Sequence, residues 1–253
     1  MIIILFSLVV LLWLIATYFL TGEDLSKFDK SLESSANDIF DSHSEDQENN
    51  QKMILRLGEA RQQAIKTKSI FKGLQVARDF ADELSIDLVT DTEFRSINAN
   101  NVECEWAIAP NVDMNKRVVF FHGGAFLLGS AKGHRKFADQ LSRLSNAPVL
   151  SVNYRMLPKY SRMLGIKDAQ QAYLWALENG PDGKQPLDFI MVSGDSAGGN
   201  LAHMVTQWSI QNAPRKPDCL ISFSPSLDQT FTCLLYTSPS PRDLSTSRMP
   251  SSA

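Results

Sequence analysis

Cysteine is scarce in this sequence of 253 residues, and Cys104, Cys219 and Cys233 lie far apart with no CxxC pair. That spacing excludes a zinc ribbon and a disulfide-stapled scaffold. Charge of one sign is missing too: 25 Lys and Arg against 28 Asp and Glu leave a net charge of -3, with no long basic run. The chain therefore lacks the electrostatic footprint of a nucleic-acid binder. No Asn-x-Ser/Thr sequon occurs, and no internal repeat is visible. With 43% apolar and 21% charged residues, the composition is that of a globular protein and excludes fibrous, collagenous and wholly disordered classes. Histidine is limited to His43, His122, His134 and His203.

The long apolar run lies at the start. Residues 1–20 carry no charge and are apolar apart from Ser7 and Thr17, about the length a helix needs to cross ~30 Å of hydrocarbon. The run exceeds a signal-peptide core, lacks a basic n-region and ends Tyr18-Phe19-Leu20 without a small-x-small site, so an uncleaved anchor over 1–21 is expected. Cleavage and secretion form the alternative. Lys27 and Lys30 are the nearest basic residues, a weak bias toward a cytosolic body. Residues 22–50 are rich in Ser and acidic residues and read as a flexible spacer, with His43 solvated inside it. At the other end, residues 233–253 (CLLYTSPSPRDLSTSRMPSSA) show no amphipathic period and look like a translated transposase-type sequencing adapter. They are set aside from the fold as an artefact tail, which leaves 51–232 as a partial domain whose continuation is expected downstream.

Inside that domain, apolar residues at helical spacing (Met53, Ile54, Leu57; Phe71, Leu74, Val76, Phe80) predict two helices over 51–84. Strand-like runs follow at 102–108, 117–121, 148–152, 187–193 and 219–223, and helical stretches at 133–145, 165–179 and 197–212. The later runs are almost entirely apolar, as for strands buried on both faces. Alternating strands and helices predict an α/β domain with a mostly parallel sheet and helices on both faces. Ligands of such sheets bind beyond the carboxyl ends of the strands, so the loops after Phe121, Val152, Ser193 and Phe223 carry the functional expectation. Trp106, Trp175 and Trp208 are expected in the core, and Arg155 in a pair with a carboxylate.

Two motifs fall in those loops. Gly194-Asp195-Ser196-Ala197-Gly198 joins the run LDFIMVS to the segment LAHMVTQWSI. A serine on a tight strand-to-helix turn needs small neighbours, since larger side chains would crowd the turn and shield Oγ. The alternative is a glycine-rich helix start with Ser196 as a cap. His122-Gly123-Gly124-Ala125-Phe126 follows RVVFF, where glycines let backbone N–H groups face a developing oxyanion. Together they point to acyl transfer.

HGGAF at 122, NYRMLP at 153 and GDSAGGNLA at 194, in this order, resemble the hormone-sensitive-lipase-like branch of the α/β-hydrolases, with its arylacetamide-deacetylase-like esterases. The resemblance covers about residues 100–230. It implies an α/β-hydrolase fold incomplete at its C-terminus and a serine carboxylesterase or lipase-like activity on acyl esters with an apolar moiety. It further implies Ser196 as nucleophile, Gly123, Gly124 and Ala197 as oxyanion-hole donors, His122 as a loop-positioning residue, and no metal or organic cofactor. With residues 1–20 it suggests a single-pass anchor in the endoplasmic reticulum membrane. Two departures are Asn153 where the family has Asp, and Met156-Leu157-Pro158-Lys159 in place of an LAPE-type sequence.

The triad is incomplete. The family places its acid and then its histidine well downstream of the serine. Only His203 follows Ser196, seven residues on along the same predicted helix, where it is expected to pack rather than to take the proton. Asp228 comes too early for the triad acid, and Asp243 lies in the tail. The chain as written is thus expected to be inactive. The competing reading is a non-catalytic, receptor-like hydrolase relative that binds a small molecule. An exposed sheet edge is expected beside 219–223.

Overall fold

The structure, a computed structural model, describes residues 44–227, with side chains from Gln51 onward. The expected anchor, most of the spacer, Asp228 and the tail lie outside the described residues. Helices α1 (Ser44–Lys66) and α2 (Ile70–Asp82) lead into a short 3₁₀ turn at Glu83–Ser85. The remaining elements are β1 (Glu93–Ala99), β2 (Val102–Ile108), β3 (Lys116–Phe121), α3 (Arg135–Ser145), β4 (Val149–Val152), α4 (Arg162–Glu178), the two-residue strands β5 (Asn179–Gly180) and β6 (Gly183–Lys184), β7 (Phe189–Asp195), α5 (Ser196–Asn212) and β8 (Cys219–Phe223).

Six strands form one sheet in the order β1-β2-β4-β3-β7-β8. The pairs β3–β4, β3–β7 and β7–β8 are parallel, whereas β1–β2 and β2–β4 are antiparallel, so the sheet is mostly parallel as expected. Its centre is buried on both faces. On β3, Val119 and Phe121 enter a cluster with Trp106, Leu150, Tyr173 and Val205, while Val118 and Phe120 enter a second cluster with Ala138 and Leu141 of α3. This two-sided burial is why those runs contain almost no polar residue. Trp106 is fully buried, and Trp175 and Trp208 pack partly buried against the same core. At the far margin β8 ends the sheet among the described residues, with Ile221 and Phe223 exposed, matching the expected open edge.

Two features depart from the sequence expectations. Helix α1 starts at Ser44, so residues 44–50 of the expected spacer are helical. The run Ser44-Glu45-Asp46 places acidic residues in a first helical turn, where the macrodipole favours them. Strand β1 was not expected either. Its sequence EFRSINA carries no apolar run, because it is an edge strand with alternating exposure. The register that places Ala99 opposite Val102 leaves Asn100 and Asn101 as a two-residue turn, and both have positive φ (52° and 68°). Asparagine tolerates that conformation, and such a turn matches the twist of a hairpin.

Candidate active site

Strand β7 runs buried through the sheet from Ile190 to Gly194 and passes directly into α5 at Ser196. The reversal needs a residue in the left-handed region, and Ser196 occupies it with φ 49°. Ser196 itself is exposed, and Asp195, with extended backbone, holds the cap position. The cap reading of Ser196 therefore fails. The flanking glycines are required by close approach: a Cβ on Gly194 would lie 2.4 Å from the Gly198 carbonyl oxygen, and one on Gly198 would lie 1.9 Å from that of Phe121. The turn is pressed against the end of β3, and any larger residue at either position would force the two apart.

That contact brings the second motif alongside. Phe121 pairs with Gly194 in register, so the loop 122–126 leaves β3 beside the turn. Gly124, Ala125 and Phe126 all have positive φ (114°, 54° and 60°), a short left-handed turn closed by Leu127 N–H and Leu128 N–H donating to the Gly124 carbonyl. Two L-residues in this region mark stored strain, held in place by the surroundings.

Of the expected donors, Gly123 is corrected by the structure. Its N–H donates to Asp195 Oδ1 at 2.8 Å and is therefore not free for an oxyanion. The Gly124 N–H and the Ala125 N–H, by contrast, have no hydrogen-bond acceptor among the described residues. Ala197 is buried in the first turn of α5, where backbone N–H groups have no partner within the helix. The strand-end carboxylate thus ties the loop to the serine turn.

His122 is buried at the root of the loop. Its Nδ1 faces the Gly123 carbonyl at 2.8 Å, which can only accept, so Nδ1 carries the proton. Burial, with a smaller push from His134, pulls its pKa down to about 3, so the ring is neutral at ordinary pH. Tyr154 stacks on it at 4.5 Å and donates its hydroxyl to the His122 carbonyl at 2.7 Å. His122 thus contacts the loop that the resemblance expects it to position. Asn153, one of the departures from the family pattern, accepts the Ala131 N–H through Oδ1 at 2.8 Å. Arg155 is held bidentate by Asp168 (2.8 and 2.6 Å), the pairing expected from its place at a strand end. Tyr154, Arg155, Asn153 and His122 also line a cavity of about 650 Å³ at this end of the sheet; Ser196 is not among its lining residues.

None of the three histidines among the described residues hydrogen-bonds Ser196. His203 Nε2 lies 3.0 Å from Ser222 Oγ on β8, and His134 Nδ1 lies 3.1 Å from the Ser130 carbonyl, with Nε2 3.7 Å from Asp195 Oδ1. Sequence reasoning missed Asp195, Tyr154 and Ala125. All three sit inside quoted motifs, and the signal for Asp195 was a carboxylate inside an otherwise small-residue turn. Among the described residues no cluster of His, Cys, Asp or Glu could hold a metal ion.

Comparison with known proteins agrees with this geometry. A family model described as the α/β hydrolase fold matches residues 118–247, a range that takes in both motifs and runs past residue 232. The esterase LipU of Mycobacterium tuberculosis is 35% identical over 120 residues, covering 47% of this chain and 39% of that protein. The carboxylesterase/phospholipase LipF of the same organism is 34% identical over 136 residues, covering 52% of this chain and 35% of its own length. Among solved structures, an esterase/lipase from an uncultured bacterium superposes with a TM-score of 0.58 at 29% identity, covering 63% of this chain and 53% of that one. An esterase of the bacterial hormone-sensitive lipase family gives 0.54 at 25% identity, covering 60% and 50%. The chain spans about half the length of these structures and less of the two mycobacterial enzymes. It belongs to the α/β hydrolase fold family and is similar to esterases of the hormone-sensitive-lipase group.

Proposed function

We propose that this chain carries the nucleophile and oxyanion half of a serine carboxylesterase site. Ser196 Oγ would attack the ester carbonyl, the carbonyl oxygen would take the negative charge against the N–H groups of Gly124, Ala125 and Ala197, and the alcohol would leave an acyl-Ser196. The substrate is an acyl ester with an apolar moiety. The observation that carries this reading is the exposed, left-handed Ser196 placed beside a left-handed loop with two unengaged N–H groups. Attack and deacylation at an enzymatic rate also need an imidazole to take the Oγ proton and return it to the leaving group; without it the oxyanion donors leave only slow attack, with the proton passing to water. His122, His134 and His203 are each engaged elsewhere, so the described residues do not supply one, and we read the chain as unable to turn over.

The same observation favours a second reading, a site that binds an ester or similar small molecule without cleaving it. A fluorophosphonate probe separates the two. Covalent labelling that maps to the Ser196 peptide and vanishes in Ser196→Ala supports the nucleophile; saturable binding of a small ester without any labelling supports the binding module. Labelling that persists in Ser196→Ala overturns both.

We also read residues 1–20 as a membrane anchor, placing the body on the endoplasmic reticulum. No helix among the described residues is long and apolar enough to cross a membrane. The reading rests on the uncharged sequence of residues 1–20 alone.

A further inference from the structure

Helix α1 is turned the wrong way round for a helix packed only on its own domain. The positions that are partly covered, Arg56, Ala60, Ala64 and Thr67, recur at intervals of four, four and three residues and form one stripe. That stripe is short-chained except for Arg56, which reaches Glu83 Oε2 at 3.4 Å and sits over the Phe80 ring at 5.8 Å. Ala64 meets α2 closely enough that a Cβ on Gly73 would lie 3.3 Å from its carbonyl oxygen. The large apolar residues face away. Ile54 is 67% exposed, Leu55 68% and Ile65 67%, and at the start of α2 Ile70 is 87% and Phe71 73% exposed. Ile54 and Ile65 are eleven residues apart, about three turns, and so share one face. A run of large apolar side chains this exposed marks a surface that meets something other than water.

The charge around that face says what. The acidic residues of α1 gather at its start, Glu45, Asp46 and Glu48, whereas from Gln51 to Gly73 the sequence holds six basic residues, Lys52, Arg56, Arg61, Lys66, Lys68 and Lys72, and one acidic residue, Glu59; of the six, Arg56 is engaged by Glu83. Apolar side chains interleaved with Lys and Arg on a surface helix fit the boundary of an anionic bilayer, where the apolar groups enter the acyl region and the basic ones meet head groups. A protein partner would need acidic groups to match; a second copy with its 51–73 stretch laid on this one would bring like charges together. Distance permits the contact. Only 23 residues separate residue 20 from Ser44, at most about 80 Å of extended chain.

We propose that the stretch from Gln51 in α1 to Gly73 in the first turn of α2 forms a docking surface for an anionic lipid bilayer. It would hold the hydrolase body against the membrane in addition to the segment 1–20, and it rests on the reading of that segment as an anchor. The test uses the full chain in vesicles of phosphatidylcholine with and without phosphatidylserine. Single environment-sensitive labels are placed through Ile54→Cys or Ile65→Cys, with Lys184→Cys on β6 as a control, in a Cys219→Ser, Cys233→Ser background; Cys104 is buried and stays unlabelled. The expected result is a blue shift and quenching by brominated lipid at 54 and 65, stronger with phosphatidylserine, and neither at 184. Chain that floats with the vesicles while the labels at 54 and 65 stay wet overturns the docking surface and leaves the anchor standing. Labels that become sheltered with protein concentration instead of lipid show a self-association face and overturn it as well. Failure to float at all removes both the anchor and the docking surface.

Discussion

Removing the Asp195 carboxylate tests the link between the two motifs. Its Oδ1 accepts the Gly123 N–H at 2.8 Å, and its side chain is 29% exposed, so the bond is partly shielded from water. Hydrogen bonds to charged groups contribute about 1.5–3 kcal/mol, and partial exposure places this one at the lower end. Asp195→Ala should therefore cost about 1.5 kcal/mol in urea unfolding, and Asp195→Asn, which keeps an acceptor oxygen but loses the charge, about half as much. The local readout is sharper. Hydrogen exchange at the Gly123 amide should accelerate in the alanine variant by roughly tenfold, the factor that corresponds to about 1.4 kcal/mol of lost protection. An alanine variant within about 0.5 kcal/mol of the parent, with unchanged protection at Gly123, would refute the clamp and return Gly123 to the set of free donors.

Other consequences follow from the same geometry. Ser196 pays a conformational penalty at φ 49° and is exposed, so Ser196→Gly should raise stability by about 0.5–1 kcal/mol in urea denaturation while removing the nucleophile; a destabilised glycine variant would contradict the strain. His122 gives a pH dependence of definite sign. Below its ordinary value of 6.5 the unfolded chain takes up a proton that the folded chain refuses until about pH 3. Its contribution is thus complete above pH 6.5 and declines as pH falls through that window, with a slope of up to about 1.4 kcal/mol per pH unit. Urea midpoints at about pH 7.5 and pH 5.5 should differ for the parent and differ less for His122→Asn. Equal differences in the two proteins would show that His122 is not held neutral.

Much of the architecture was legible because burial writes itself into composition. β3 is buried on both faces, and its run RVVFF reads as a strand for that reason; α3 showed a clear amphipathic period, while α4 and α5 were legible as the unbroken stretches between such strands. β1 was illegible because an edge strand with Arg95, Ser96 and Asn98 exposes polar groups and writes no apolar run; the asparagine pair that turns it was the available signal. The start of α1 was missed for a related reason, since a helix rich in acidic residues has the composition of a spacer. At the site, the serine turn was visible because steric need leaves glycine as its trace, at Gly194 and Gly198. Which loop N–H groups remain free was not. That depends on the 2.8 Å approach of Asp195 to Gly123, a distance between motifs 72 residues apart that no spacing rule encodes.

The central claim is that Ser196 is a competent nucleophile without a base among the described residues. It is tested most directly by mixing the chain with excess p-nitrophenyl butyrate and following nitrophenolate release alongside intact-protein mass. The account predicts slow release that stops within a single turnover, with one butyryl adduct on Ser196 and none in Ser196→Ala. Sustained turnover that survives Ser196→Ala would contradict the nucleophile, and sustained turnover abolished by His203→Ala would show that the base had been in the described chain all along.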